Sequence, residues 1–360
     1  MACATEAGGA SNLRPIIEEF CDIANFSTFC SGGAQSTFQQ AQVPTHDSRT
    51  INSKSEATTL LKTIEPQVVL VGRGLDLDSP ERFLTVSARE LGIPSVGIID
   101  EWYDYRLNYI DALGELRHLP DIICCPDEQA RDEAILDGLP SERLRVTGSP
   151  ALSELIDTRE SYKQNPPPRP KLLTDNCLRP VVVFLSEAIS ISQSHETERT
   201  LKINRDDSLG YDEHRVRTDL ANILGEKFDT CTVLEKLHPS ADPGHYSPIN
   251  MSKGTWACTP DVNLTQLLWW ADIVVGMRSA GLLASVLLGI PTVSYQPNLK
   301  EKNRCTAVRK GLVSCCLSPR DLRLWLENYR LGKSREFSGR PNYASKAATK
   351  AVFSIIENIV

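Results

Sequence analysis

Short apolar runs alternate with segments of helical pattern along most of the chain, and this alternation restricts the fold more than any other feature. The runs at residues 68–71, 95–99 and 121–125 are each too short to form a buried helix. Helical segments that follow two of these runs end at Gly92 and Gly138, and glycine is the usual residue just past a helix end. Short buried strands separated by helices predict a parallel sheet that is covered on both faces.

The alternation is interrupted once, by a proline-rich stretch. Residues 166–168 are consecutive prolines, which favour an extended, semi-rigid linker. A second alternation starts with the apolar run at residues 181–185, and the polar residues 189–209 form a candidate mobile loop. Because 360 residues exceed what one core usually serves, we predict an α/β fold of two doubly wound Rossmann-like domains that face a cleft. The predicted parts are an N-terminal domain at 1–160, a linker at 161–178, a C-terminal domain at 179–342, and a terminal helix at 343–360 that packs back toward the N-terminal domain.

Charge is distributed unevenly along the chain. The formal net charge is −7, from 39 basic and 46 acidic residues, which argues against a general nucleic-acid binder. Residues 300–350 contain 13 Lys and Arg against 4 Asp and Glu. We interpret this basic region as a set of solvated helix faces. The alternative is a surface that faces phosphates or an anionic membrane, which would make peripheral membrane contact.

The eleven cysteines are scattered and form no CxxC motif. A zinc site or a disulfide framework is therefore not expected, and reduced thiols in a cytoplasmic protein fit best. No run of 18 apolar residues is present, so we expect no transmembrane helix. The first residues also lack the basic and apolar segments of a secretory signal.

The clearest candidate site follows the apolar strand at residues 273–275. The turn after it contains Arg278, Ser279, Ala280 and Gly281 and leads into a helix. Backbone N–H groups at such a helix start bind phosphate, and Arg278 can add a bidentate contact. The alternative interpretation is an ordinary strand-to-helix turn.

Two other strands of the second half end in polar residues. Ser186 and Glu187 follow the strand at residues 181–185, and His238 follows the strand at residues 232–237. The carboxyl ends of parallel strands are where α/β sheets bind ligands. His238 is suited to donate a hydrogen bond to a phosphate or sugar oxygen, or to transfer a proton near neutral pH. The alternative is a histidine that only ends its strand.

The first half offers two acidic segments at predicted strand ends. Glu6 precedes Gly8 and Gly9, and paired glycines let a ligand or the opposite domain approach the backbone closely. Asp100 and Glu101 follow the strand at residues 95–99, and three aromatic residues and an arginine follow within five positions. Carboxylates bind sugar hydroxyls or accept protons, and aromatic faces stack on sugars and bases. The alternative is an ordered loop held by an Asp–Arg pair. Residues 72–79 follow an earlier predicted strand and are expected to line the same edge, with the alternative that their acids cap the helix starting at Pro80.

Several segments resemble the GT-B fold superfamily, which contains nucleotide-sugar glycosyltransferases and non-hydrolysing UDP-N-acetylglucosamine 2-epimerases. More narrowly, they look like a little-characterised group of bacterial proteins of surface polysaccharide synthesis. The segments that carry the resemblance are residues 99–102 with Tyr105 and Arg106, residues 119–121, 184–187, 210–213, 238–240 and 275–279.

The resemblance implies that the second domain holds the nucleotide and diphosphate and that the first holds the acceptor. His238 and the residues from Arg278 to Gly281 then lie on the diphosphate side. Many GT-B enzymes carry a glutamate in the helix after the phosphate turn, whereas residues 281–286 here contain no acid. The Gly-Thr-Arg-Pro-Glu start and the Asp-Ser-Gly-Gly turn of the epimerases are also absent.

The leading prediction is a metal-independent glycosyltransferase-like enzyme that uses a nucleotide-activated sugar and a sugar or glycolipid acceptor. The first alternative is a nucleotide-sugar epimerase or hydrolase, and the second is a non-catalytic sugar-nucleotide binder. No cofactor or metal is expected, because amides and basic side chains stabilise the departing diphosphate. We expect the second-domain residues, including Ser186 and Glu187, to bind the nucleotide-sugar. Asp100, Glu101 and Glu6 would face them and supply the general base.

Overall fold

The computed structural model describes residues 1–74, 76–174, 177–190, 209–238, 241–259, 262–332 and 340–360. The chain divides into two units, one of Met1–Ile156 with Arg340–Val360 and one of Asp157–Gly339. The prediction of two doubly wound, Rossmann-like α/β domains is confirmed, since each unit contains one parallel sheet with flanking helices. The candidate loop at residues 189–209 lies almost entirely outside the described residues.

The first unit contains a seven-stranded parallel sheet of order β3-β2-β1-β4-β5-β6-β7. Its strands are β1 Ala2–Ala4, β2 Thr28–Cys30, β3 His46–Asp47, β4 Val69–Val71, β5 Ser95–Ile98, β6 Ile122–Cys125 and β7 Leu144–Val146. Its helices are α1 Ala7–Phe20, α2 Ala34–Gln40, α3 Lys54–Ile64, α4 Pro80–Leu91, α5 Glu128–Leu136, α6 Pro150–Gln164, which continues into the second unit, and α12 Ala348–Ile359.

Alternation of side chains along β1 builds the two cores of this unit. Ala2 and Ala4 belong to the core that contains helix α12, whereas Met1 and Cys3 belong to the core on the other face. This is the two-residue period of a strand that is buried on both sides. On the first face, the ring of Phe353 in α12 stacks on Phe20 of α1 at 3.7 Å between centroids, so the C-terminal helix is part of this unit.

The second unit contains a six-stranded parallel sheet of order β10-β9-β8-β11-β12-β13. Its strands are β8 Val181–Leu185, β9 Thr232–Lys236, β10 Thr255–Thr259, β11 Ile273–Gly276, β12 Thr292–Tyr295 and β13 Ser314–Cys316. Its helices are α7 Glu213–Lys227, α8 Leu264–Trp269, α9 Gly281–Leu287, α10 Thr306–Arg309 and α11 Pro319–Arg330.

Local signals explain where several helices begin and end. Gly92 has φ +71 and donates its backbone N–H to the carbonyl of Ala88, so α4 ends where the sequence predicted. The side chain of Asp212 accepts a hydrogen bond from the backbone of Arg215 at 2.7 Å and caps α7.

Other elements differ from the sequence analysis. Helix α6 extends to Gln164, so the first four residues of the predicted linker are helical. The division between the units falls at Ile156 and Asp157, inside that helix, and the domain boundaries of the sequence analysis stay predictions. The analysis also missed the elements α2, β3, α6, β10, α10, β13 and α11. Within the described ranges, no helix is long and apolar enough to cross a membrane.

Candidate functional site

The central strands of the first unit end side by side and bring Glu6, Arg73 and Asp100 to one edge of the sheet. Cys3 of β1 pairs with Val71 of β4, and Val71 pairs with Gly97 of β5. Because all three strands are parallel, the segments that follow them emerge at the same edge. The sequence predicted this edge, which we call the first edge.

Asp100 is the most deeply buried predicted acid of the first edge. Its side chain is 8% exposed, and Oδ1 accepts no hydrogen bond in the part of the chain that the structure describes. Burial raises the pKa of the Asp100 carboxyl, and the positive charge of Arg73 opposes that rise. A buried acid with an uncommitted oxygen is a candidate proton-transfer group.

Gly8 and Gly9 allow close approaches inside the first unit. A Cβ atom at Gly8 would lie 2.1 Å from Oδ2 of Asp100, so only glycine leaves room for that carboxylate. A Cβ atom at Gly9 would lie 3.1 Å from the Cα of Gly72. The sequence analysis expected these glycines to admit a ligand or the opposite domain. In the structure, Asp100 and the backbone after β4 occupy the space against them.

Arg73 lies beside Asp100, although sequence reasoning did not assign it to the site. Its Nη1 is 3.9 Å from Oδ1 of Asp100, and its Nε donates a hydrogen bond to Oδ1 of Asn108 at 2.6 Å. The guanidinium also lies over the ring of Tyr103, 5.4 Å from its centroid. The signal was available, because Arg73 follows a predicted strand at the same edge, but nothing in the sequence links it to Asp100.

Two glutamates complete the acidic side of the first edge. Glu6 precedes helix α1 without capping it, and burial raises its pKa, together with the negative charges of Asp76 and Asp100. Glu81, which the sequence analysis did not single out, is buried in the first turn of α4. Its Oε1 accepts hydrogen bonds from the backbone N–H and the hydroxyl of Thr5 at 2.6 and 2.8 Å. Glu81 therefore fixes the segment that carries Glu6.

Two of the three aromatic residues after Asp100, Trp102 and Tyr105, are held by protein groups, whereas the sequence analysis offered these aromatic faces to a ligand. Trp102 and Tyr105 are only 2% and 3% exposed. The indole N–H of Trp102 donates to Asp127, and the hydroxyl of Tyr105 donates to Glu133, both at 2.9 Å. These bonds tie the loop to helix α5. Glu101 is partly exposed and its role stays a prediction.

The second unit places Glu187 and Arg278 together at what we call the second edge. Leu185 of β8 pairs with Gly276 of β11, so the segments that follow emerge side by side. Oε1 of Glu187 accepts the backbone N–H of Arg278 at 2.6 Å, and Oε2 lies 3.2 Å from Nε of the same arginine. Burial raises the pKa of Glu187, and Arg278 opposes the rise through its charge and its hydrogen bonds.

The turn from Arg278 to Gly281 is already held by protein groups. The hydroxyl of Ser279 accepts the backbone N–H of Gly281 at 3.1 Å, and a Cβ atom at Gly281 would lie 2.8 Å from Cδ1 of Leu185. Ala280 is exposed. The carboxylate of Glu187 thus takes the N–H of Arg278 that the sequence analysis offered to a phosphate. The assignment of a diphosphate to this turn stays a prediction.

The other predicted residues of the second edge differ in exposure. His238 follows β9 and part of its surface is exposed, but neighbouring atoms partly desolvate the imidazole. This desolvation, together with the positive charge of Lys236, lowers the pKa of His238 and favours a neutral imidazole at pH 7. Its predicted motif partners at 239–240 lie outside the described residues. The hydroxyl of Ser186 is buried and has no hydrogen-bond partner among the described residues.

Sequence reasoning also missed a buried polar network next to Glu187. The hydroxyl of Tyr211 donates to Oε1 of Gln296 at 3.0 Å, and Nε2 of Gln296 lies 2.8 Å from the hydroxyl of Ser294. The negative charge of Glu187 contributes to the raised pKa of Tyr211, so the network adjoins the second edge. In the described parts of both units, no group of three or more His, Cys, Asp or Glu side chains is placed to hold a metal ion.

Comparison with known proteins gives matches by structure and none by sequence. No family model matches the chain, and no curated protein matches it. The crystal structure of UDP-GlcNAc 2-epimerase from Neisseria meningitidis bound to UDP-GlcNAc matches with a TM-score of 0.65 and 15% identity, over 99% of both chains. The UDP-GlcNAc 2-epimerase of Methanocaldococcus jannaschii matches with a TM-score of 0.66 and 11% identity, also over 99% of both chains.

A protein with another name shares the same architecture at lower similarity. The structure of MurG from Acinetobacter baumannii matches with a TM-score of 0.54 and 12% identity, over 99% of both chains. At such identities the likeness concerns the fold. The two parallel sheets with their flanking helices, and the full-length matches, show that this chain has the GT-B fold.

Proposed function

We propose that this protein is an enzyme that acts on a nucleotide sugar of the UDP-N-acetylhexosamine type, as an epimerase or hydrolase that needs no acceptor. Full-length similarity to structures named UDP-GlcNAc 2-epimerase supports the substrate class. This proposal takes the first alternative of the sequence analysis in place of its leading prediction, a glycosyltransferase.

The observation that carries the proposal is the buried Asp100 carboxyl with its uncommitted Oδ1. Epimerisation removes a proton from one sugar carbon and returns a proton to the opposite face, so it needs an acid–base pair. Asp100 in its carboxylate form accepts the first proton. Glu6, an acid that interacts electrostatically with Asp100, returns the second, and Glu101 is the alternative donor.

The second edge is proposed to bind the nucleotide and the diphosphate. Arg278 supplies the cation, Ser279 and Gly281 the turn, and Glu187 fixes the orientation of Arg278. A neutral His238 can donate one hydrogen bond to a phosphate or sugar oxygen. Ser186 adds a hydroxyl with hydrogen-bonding capacity to spare.

A panel of nucleotide sugars, incubated with and without sugar acceptors, tests the proposal. We expect a new nucleotide-sugar epimer, or free sugar and nucleoside diphosphate, without any acceptor. The Asp100→Asn variant should lose this turnover. Asp132→Asn should keep it, because that aspartate is 61% exposed on the outer face of α5.

Two other outcomes would replace the proposal. Turnover that requires an acceptor would establish the glycosyltransferase, the second candidate, which the similarity to MurG supports. Thermal stabilisation by nucleotide sugars without turnover would establish the binder. The cytoplasmic location, the acceptor and any membrane contact stay predictions from the sequence.

A further inference from the structure

Arg73 is held in place by groups other than Asp100. Its Nε is bonded to Asn108 at 2.6 Å, and its guanidinium faces Tyr103. Its side chain is only 10% exposed. A buried arginine that is held from two sides stays in one position. Its charge is also permanent, because a guanidinium does not deprotonate in proteins.

Arg73 is close enough to Asp100 for a charge interaction but too far away for a hydrogen bond. Nη1 of Arg73 is 3.9 Å from Oδ1 of Asp100, beyond the 2.7–3.2 Å of an N–H···O hydrogen bond. The same Oδ1 is buried and has no hydrogen-bond partner within the described residues. Arg73 therefore stabilises the charged form of the Asp100 carboxylate, while the lone pairs of Oδ1 stay available to a substrate.

We propose that Arg73 is a positioning residue whose fixed positive charge favours the carboxylate form of the buried Asp100 while leaving Oδ1 open to receive a proton from the substrate. The inference rests on the proposed function, in which Asp100 is the base. It gives a role in the reaction to Arg73, which the sequence analysis placed at this edge without a role.

The other ionisable groups around Asp100 are acids, so they disfavour its carboxylate form and Arg73 is needed to oppose them. Glu6, before α1, interacts electrostatically with both Asp100 and Arg73. Glu101 and Asp104, in the loop after β5, interact with Arg73. Each of these three acids carries a negative charge when it is ionised. Tyr109, on the same loop, has a pKa raised far above its usual range by burial, so it is neutral. Arg73 is a cation that opposes the effect of burial on Asp100, and without it the carboxyl would stay protonated to higher pH.

Turnover measured against pH in Arg73→Met and Arg73→Lys tests this role. In Arg73→Met the acidic limb of kcat/KM should move up by about 1–3 pH units, the usual effect of removing an opposite charge at this range. Arg73→Lys should keep the limb near the wild-type position, since the charge remains. Arg49→Met is the matched control, because that arginine is 73% exposed and pairs with Asp47 at the surface.

A uniform loss of activity in Arg73→Met at every pH, with no shift of the limb, would overturn the proposal and show a merely structural role. If Arg73→Met does not fold, Asn108→Leu removes the acceptor that holds Nε. The guanidinium is then released, and a smaller shift in the same direction is expected. An unshifted limb in a folded Asn108→Leu would overturn the proposal as well.

Direct titration of Asp100 separates this inference from the proposed function. The carboxyl resonance of 13C-labelled aspartate is assigned by its disappearance in Asp100→Asn and followed against pH in wild type and Arg73→Met. A higher pKa in Arg73→Met supports the inference even if no nucleotide sugar is turned over. An unchanged pKa overturns it even if Asp100 proves essential for turnover.

Discussion

Both units place a carboxylate and an arginine at the carboxyl ends of their central strands, but only the pair in the second unit is joined by hydrogen bonds. At the second edge, Glu187 accepts both the backbone N–H and the Nε of Arg278, at 2.6 and 3.2 Å. At the first edge, Arg73 lies 3.9 Å from Asp100 and leaves Oδ1 without a hydrogen bond in the described structure.

The difference shows which pair is suited to chemistry and which to architecture. A carboxylate whose oxygens are taken by the adjacent turn holds that turn and has little capacity left for a substrate. A carboxylate whose ionised form is favoured by a nearby arginine, but which is not hydrogen-bonded to it, retains an oxygen that can accept a proton. The comparison therefore supports the proposed role of Asp100 in proton transfer, and it gives Glu187 the role of holding the turn that contains Arg278.

The largest expected effect comes from Asp100→Asn, which tests whether the open carboxylate of the first edge is the base. An amide cannot accept the substrate proton, so turnover should fall about 10²–10⁴-fold, the usual contribution of a general base. Nucleotide affinity, measured by calorimetry, should stay nearly unchanged because the diphosphate is assigned to the second edge. Loss of nucleotide binding in this variant would show that the roles of the two units are reversed.

A somewhat smaller loss is expected from Gly8→Ala, which displaces Asp100 without changing its chemistry. The new Cβ would lie 2.1 Å from Oδ2, so the carboxylate must move by about 1 Å, and such a shift can cost about 10²-fold in rate. Ala7→Ser, at the exposed neighbour in the same turn, is the control in steady-state assays. Wild-type activity in Gly8→Ala would mean that the position of Asp100 is unimportant.

At the second edge, Arg278→Ala should weaken nucleotide binding while leaving the chemical step largely intact. Loss of one charge-assisted contact corresponds to about 1.5–3 kcal/mol in calorimetry. Arg323→Ala is the matched control in the same unit, since Arg323 pairs with Glu226 at the surface. Unchanged affinity in Arg278→Ala would remove the diphosphate from this turn.

The smallest expected effect is on the pH dependence of stability in Glu187→Gln. Burial raises the pKa of Glu187, so the folded state binds its proton more tightly than the unfolded state. The contribution to the free energy of unfolding is highest below the ordinary pKa of glutamate. It falls as pH rises through the higher folded value, by about 1.4 kcal/mol per unit of difference. Thermal unfolding between pH 4 and 8 should be flatter in Glu187→Gln, and a steeper decline would contradict the assignment.

The sequence predicted the strands best where burial on both faces makes them continuously apolar. The strand at residues 181–185 was located to the residue, because it is central in its sheet. The edge strands β10 and β13 were not predicted, since their polar and cysteine residues break up any continuous apolar run. Helix α11 escaped because its residues Trp325 and Leu324 are not fully buried and its surface is highly charged.

For the candidate site, the sequence predicted which residues end strands but not what each side chain contacts. Asp100 and Glu187 were both chosen as strand-end acids, yet only the structure distinguishes an open carboxylate from a committed one. Trp102 looked like a stacking platform because sequence cannot reveal its bond to Asp127. These contacts depend on tertiary packing between segments far apart in the chain.

Exchange with solvent deuterium tests the central claim, that the first edge transfers a proton to and from a sugar carbon. A UDP-N-acetylhexosamine is incubated with the enzyme in D2O without an acceptor, and the sugar protons are followed by NMR. We predict one deuterium at the inverted carbon, formed about 10²–10⁴-fold more slowly by Asp100→Asn. Product without deuterium, product only on addition of an acceptor, or an unchanged rate in Asp100→Asn would contradict it.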